Sequence, residues 1–232
     1  MKMEMKNKVI RRCMCTPTGL HIREAAEGEE PSRTIIGYAI LFNVPSAPLW
    51  SDEDSEAREM IAPEAVTKEF LDAQDIKMTM FHDNHSLLAR SNKGDGTLSY
   101  TVDDKGVMFE FSAPNTVDGD KALELVRRGD ISGCSFAFTT HYFDSDFVER
   151  QSKVAANGVN NITYRVKAIT GIYDFTLAAN PYYPDTSVEV RELAKELKRE
   201  QAPAAVITED KEKALKQLRE MRHAAQRSMF NV

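Results

Sequence analysis

Little in this sequence points to a covalently braced or membrane-bound protein. Its 232 residues hold only three cysteines, Cys13, Cys15 and Cys134. An odd number without paired spacing does not make a disulfide framework, so a reducing compartment is expected. Cys13 and Cys15 read as small apolar residues on one side of a strand. No apolar run approaches the ~18 residues that a membrane helix requires. The opening "MKMEMKNKVIRRC" has no apolar core of the kind a signal peptide carries, so a cytosolic-type chain is expected. A charge excess of one sign is also missing. Thirty basic against 36 acidic residues leave −6, which disfavours a general nucleic-acid binder. Histidine is scarce, at five residues, so the placement of each one carries weight.

What is present is a core. Apolar residues make up 42% of the chain, and strand-like pieces dominate from residue 8 to residue 190. "TIIGYAILFN" (34–43) predicts a strand closed by "PSAP", and "SDEDSEARE" (51–59) an acidic, solvated loop. "APEAVTKEFLDAQ" (62–74) has helical spacing, with Pro63 in the first turn. "IKMTMFHD" (76–83) predicts a strand. "GTLSYTVDDKGVMFEFSAP" (96–114) alternates on both sides of Asp104-Lys105-Gly106, which predicts a hairpin. "DGDKALELVRRGD" (118–130) predicts a helix with Gly129 just past its end. Strands are expected at 132–143, 162–169 and 172–178. A polar loop is expected over 144–161 and a proline-bounded exit segment over 180–191.

The character changes near residue 191. Beyond it, "RELAKELKRE" and "TEDKEKALKQLREMRHAAQRSMF" are helical and charged, with few large apolar residues, and "QAPAAVI" (201–207) separates them. Such helices are usually solvated or bound to a partner. Two units are expected, 1–191 and 192–232.

Three ordered polar residues stand out against apolar strands. In "SGCSFAF", alternation puts Cys134, Phe136 and Phe138 on one face and Gly133, Ser135, Ala137 and Thr139 on the other. Ser135 is then flanked by glycine and alanine, where a substrate backbone can approach; the plain alternative is a strand serine facing solvent. In "IYDFTLA", Tyr173, Phe175 and Leu177 share a face opposite Asp174 and Thr176. A carboxylate there needs a partner, either a catalytic one or a simple cation. In "MTMFHDNHSLLARS", His82 follows Ile76, Met78 and Met80 on a strand face, whereas His85 comes after turn-forming Asp83-Asn84. Zinc would want three or four ligands, and the pattern supplies no such set, so no metal and no cofactor are expected. Ser, His and Asp are the types that nucleophilic acyl transfer needs. A thiol alternative, Cys134 with His82, is disfavoured by strand parity. The "GCSFA" stretch also lacks the second glycine of a hydrolase elbow.

These segments, in this order and spacing, resemble the prohead (capsid maturation) serine proteases of tailed bacteriophages, whose fold is similar to that of herpesvirus assemblins. The likeness runs from about residue 33 to residue 191. It is carried by "RTIIGYAILFN", "EMIAPEAV", "FHDNHSLLAR", "GTLSYTVDDKGVMFEF", "LVRRGDISGCSFAF" and "DFTLAANPYYPDTSVEVR". The resemblance implies an α+β, mainly β fold, with a mixed β-barrel core, flanking helices and a helical tail. It implies catalytic His82, matched through His82-Asp83 and Ala89-Arg90, with Ala89 where the family more often has glycine. It also implies Ser135 before Phe-x-Phe, and Asp174 where the family usually has the longer Glu. Backbone amides near Ser135, or a group around Arg90, are the candidates for holding an oxyanion. Implied substrates are scaffolding and capsid proteins and the chain itself, cut inside the immature prohead in the host cytoplasm. A homodimer or higher homo-oligomer is a further expectation, with neither nucleic acid nor membrane as partner. The alternative is an inactive relative that serves capsid assembly as a scaffold.

Overall fold

The computed structural model describes residues 10–13, 19–178 and 196–198. In chain order its strands are β1 (Ile10–Cys13), β2 (His21–Ile22), β3 (Thr34–Leu41), β4 (Trp50–Ser51), β5 (Ser55–Ile61), β6 (Asp75–Met80) and β7 (Asp83–Asn92). There follow β8 (Asp95–Gly96), β9 (Leu98–Val102), β10 (Gly106–Ser112), β11 (Gly133–Thr139), β12 (Val148–Val154), β13 (Asn160–Val166) and β14 (Gly171–Ala178). Two α-helices interrupt them, α1 (Lys68–Asp72) and α2 (Val117–Arg128).

The strands form three sheets, ordered β1-β11-β14-β6-β7-β8, β2-β3-β10-β9 and β12-β13-β5-β4. The expected mixed barrel is not formed: among the described residues the three sheets do not close. Apolar alternation defines a buried face on each strand but says nothing about whether the outermost strands meet.

The core is the apolar face of the six-stranded sheet and what packs on it. Cys134, Phe136 and Phe138 of β11 are fully buried with Phe175 and Leu177 of β14 and Ile76, Met78 and Met80 of β6. Strand β11 packs against β3, where Ile35, Ala39 and Ile40 are inaccessible. Phe136 and Phe138 stack at 5.3 Å between ring centroids. Each such ring contributes roughly 1.5–3 kcal/mol by leaving water, so the sheet that carries the candidate site is anchored from behind.

The expected 98–112 hairpin forms as β9–β10, and α2 forms with both of its ends capped. The Thr116 hydroxyl accepts from the Gly119 N–H, and Gly129 takes up the left-handed conformation at φ 76 that stops the helix. Ile131 then turns back, its N–H donating to the Leu125 carbonyl, and β11 begins.

Several expectations are corrected. The acidic stretch 51–59 is largely strand: β5 buries Ala57, Glu59 and Ile61 on one face, and the glutamate in that face hides the alternation. The single helix expected over 62–74 is split. Pro63–Ala65 form a 3-10 turn, Val66 is extended, and the Thr67 hydroxyl caps α1 afresh. The loop expected over 144–161 contains β12, an edge strand exposed along nearly its whole length, so neither face needed apolar residues.

The chain divides into two compact units, Met1–Glu192 and Leu193–Val232. The second is described only at residues 196–198, which are helical. The exit segment over 180–191 and the tail helices otherwise lie outside the described residues.

Candidate active site

The three residues singled out in the sequence come from three adjacent strands or their ends. Ser135 lies mid-strand on β11, and its register partner on β14 is Thr176. Asp174 lies two residues back on β14, opposite Ala137. Strand β14 pairs in parallel with β6, Thr176 falling opposite Thr79. Ser135, Thr176 and Thr79 therefore form a polar row across three strands, on the face opposite Cys134 and the phenylalanines. None of the three is solvated: Ser135 is 4% exposed, and Thr79 and Thr176 are inaccessible.

Two irregularities border these side chains, and the second brings the imidazole to the other two. The first is a bulge in β14. Phe138 pairs with Ile172 but Ala137 pairs with Asp174, which leaves Tyr173 without a register partner. A bulge resets the alternation. Ile172, not Tyr173, joins Phe175 and Leu177 in the core, and Tyr173 is exposed. The face expected for Tyr173 is corrected accordingly.

The second is the turn after β6. His82 is not the last residue of that strand, as its spacing from Met80 suggests. Phe81 and His82 are the two central residues of a tight turn between Met80 and its register partner Asp83. They have φ 55 and 57, the left-handed region that primed hairpin turns require and that residues with a Cβ avoid. The turn is held from β14: the Phe81 N–H donates to the Leu177 carbonyl at 3.2 Å and the His82 N–H to the Thr176 hydroxyl at 2.9 Å.

The imidazole is thereby placed between the other two groups. His82 Nδ1 lies 2.7 Å from Asp174 Oδ1, and His82 Nε2 lies 2.7 Å from Ser135 Oγ. Asp174, one methylene shorter than the glutamate more usual in the resemblance, still reaches the ring at full hydrogen-bond contact. With Nδ1 donating to the carboxylate, Nε2 is left as the acceptor for the serine proton. This is the arrangement in which a serine hydroxyl can be made nucleophilic. Because the side chains of His82 and Asp174 are only 17% and 11% exposed, both bonds form in a largely water-free setting that strengthens them.

His85 and Arg90 stand apart from this group. His85 is exposed, in a stretch of β7 whose residues 84–86 have no register partner, and its N–H donates to Asp83 Oδ1. The Arg90 guanidinium makes a two-pronged pair with Asp75, at 2.7 and 2.6 Å, on the exposed surface. Its cation holds the Asp75 carboxyl below the usual carboxylate range. Strands β6 and β14 lie between β7, which carries Arg90, and β11, which carries Ser135. Cys134 points to the core and is fully buried. Among the described residues no group of three His, Cys, Asp or Glu side chains is arranged to hold a metal, and no helix is long and apolar enough to cross a membrane. The residues that sequence reasoning passed over are Thr79 and Thr176. The parity of β14 already set Thr176 on the face of Asp174, but only the fold shows what its hydroxyl binds.

A search of curated proteins finds no match to the chain. Among solved structures, that of the bacteriophage T4 capsid assembly protease, gp21, resembles it at 11% identity, covering 74% of this chain and 98% of that one, with a TM-score of 0.39. The model of the caudovirus prohead serine protease family matches residues 19–200. That span holds the whole Ser135–His82–Asp174 arrangement, and the chain belongs to the caudovirus prohead serine proteases.

Proposed function

We propose that this protein is the endopeptidase of prohead maturation in its phage, with Ser135 as nucleophile, His82 as general base and Asp174 as the group that orients the imidazole. The observation that carries this reading is the unbroken line of two 2.7 Å contacts from Asp174 through His82 to Ser135. In the first step Ser135 Oγ attacks the scissile carbonyl while His82 Nε2 takes its proton. Asp174 stabilises the imidazolium that forms. His82 then hands the proton to the leaving amine, which leaves an acyl-serine ester that water hydrolyses by the same relay in reverse. The chain's own residues supply every proton movement, and no metal or cofactor is invoked.

The substrates we propose are segments of scaffolding and capsid proteins, cut inside the immature capsid in the host cytoplasm. The chain beyond residue 191 is a further substrate. Confinement raises the effective concentration of a tethered tail to the order of millimolar, and "QAPAAVI" offers small residues between two charged segments. A cut within about ten residues of Ala204 follows from these breaker signals.

The test is to purify wild type and Ser135→Ala side by side, then measure fluorophosphonate labelling and intact mass over time. Co-expression with the neighbouring capsid gene products, followed by mass spectrometry, maps the cut sites. Labelling of wild type alone, with capsid cuts absent from Ser135→Ala, is the expected result. A wild-type chain that takes no label and cuts nothing overturns the enzymatic reading in favour of an assembly factor. A wild type that cuts capsid proteins yet stays full length removes only the self-trimming step.

A further inference from the structure

We infer that Thr176 is a positioning residue for the proposed catalytic base, acting through the main chain of His82 rather than through its ring. The inference rests on the triad reading above.

A histidine in a left-handed turn is an unfavourable starting point. Phe81 and His82 carry φ 55 and 57 in succession, a backbone region that residues with a Cβ seldom enter. Histidine visits this region more readily than most residues with a Cβ, but Phe81 has no such preference, so the pair as a whole still needs outside support. If this turn relaxes, the imidazole swings away from both Ser135 and Asp174, because the ring's position is set by the His82 main chain.

The Thr176 hydroxyl opposes that relaxation with its full bonding capacity. It accepts from the His82 N–H at 2.9 Å and from the Thr79 hydroxyl at 2.9 Å, and it donates to the Thr79 carbonyl at 3.0 Å. One hydroxyl hydrogen and two lone pairs are thus all used. Donation to a main-chain carbonyl of β6 fixes which lone pair faces His82. Thr176 is inaccessible to solvent, so water cannot replace the hydroxyl if it is removed, and an unpaired His82 N–H in that position is costly. Thr176 is also Ser135's register partner and lies two residues from Asp174. One strand therefore carries the acid, flanks the nucleophile and clamps the base. A buried threonine that only filled space would need none of this alignment.

The test uses full-length protein and saturable labelling by a fluorophosphonate, which separates the maximal labelling rate from the half-saturating concentration. Thr176→Val keeps the shape and removes the hydroxyl. The expected result is a maximal rate lower by about tenfold to hundredfold, in line with the effect of small misplacements on reacting groups, at an unchanged half-saturating concentration. Thr176→Ser, which restores the hydroxyl, is expected to recover most of that rate. Thr79→Val is the matched control: it also deletes an inaccessible hydroxyl, but it leaves the Thr176–His82 bond and the Thr79 carbonyl in place, so its loss of rate is expected to be well below that of Thr176→Val. Equal losses in Thr176→Val and Thr79→Val, or a Thr176→Val enzyme that labels at the wild-type rate, overturn the inference. A second measurement stands if Thr176→Val does not fold. In the wild-type chain the His82 amide should exchange its hydrogen as slowly as the amides of β14, and exchange as fast as that of exposed His85 overturns the clamp. Failure of the underlying reading looks different, because Ser135→Ala would then label like wild type.

Discussion

The two ends of β7 carry the same kind of turn for opposite reasons. At its far end, Lys93-Gly94 joins β7 to β8 with φ 54 and 83. Glycine occupies one of the two left-handed positions, and its surroundings leave room, the nearest atom to an added Cβ being Asp72 Oδ1 at 3.5 Å. At its near end, Phe81-His82 adopts the same handedness with a side chain at both positions and no glycine. The first turn follows from the preferences of its own residues. The second is imposed by Thr176 and Leu177 from across the sheet, and it is the one that holds the imidazole. The turn that aims the proposed base has a side chain at both left-handed positions, whereas the turn that only reverses direction has one, Lys93, beside a glycine.

The largest expected effect separates the two histidines beside the strained turn. His82→Ala should lower the rate of peptide cleavage by about ten-thousandfold or more, as loss of a triad base does. His85→Ala, exposed and without contact to Ser135, should change it by no more than about twofold, the range of an ordinary surface substitution. Steady-state kinetics on a mapped capsid cut site measures both, and comparable losses would mean that the near turn does not select His82.

Asp174→Glu sharpens the same point at smaller scale. The turn brings the ring to 2.7 Å from the shorter acid, so an added methylene has to push the imidazole aside or fold away from it. A loss of about tenfold to hundredfold in kcat is expected, the scale of a misplaced catalytic group, with KM little changed. A rate equal to or above wild type would show that the turn adjusts to the acid instead of fixing it.

Stability measurements then contrast the turns directly. Gly94→Ala should cost about 1–2 kcal/mol by placing a Cβ in left-handed backbone and should leave activity intact. Phe81→Asn should raise stability by about 1 kcal/mol, since asparagine tolerates φ > 0 and Phe81, at 49% exposure, gives up little burial. For a chain of this size that is a rise in Tm of about 2–4 °C. If Phe81→Asn lowers Tm, the two turns are not strained in the way their φ values indicate.

Much of the site was legible because β11 is regular up to Ala137. Alternation alone set Ser135 opposite Cys134 and the phenylalanines, and it set Asp174 and Thr176 on a common face. The likeness of "FHDNHSLLAR" to the family then singled out His82. What alternation cannot give is a departure from itself. The Tyr173 bulge adds a residue without leaving a mark in the sequence. The Phe81-His82 turn contradicts its own residues because hydrogen bonds from a strand ninety-odd positions away outweigh local preference. Strands β5 and β12 escaped notice for a different reason. One buries a glutamate among its apolar positions, and the other, at a sheet edge, buries almost nothing. Three open sheets in place of a barrel belong to the same class, since closure depends on how strand ends meet and not on which residues face inward.

The order of strands in the large sheet has a consequence in time. Strand β14 lies between β11, which carries the proposed nucleophile, and β6, which leads to the proposed base, yet it is the last of the three to emerge from the ribosome. A nascent chain that ends before Gly171 lacks the acid, the clamp on the turn and the strand that sets the spacing between the other two. Nucleophile and base are therefore strangers until synthesis has passed Ala178. On the proposed roles, a chain built in this order has no assembled site for most of its own synthesis.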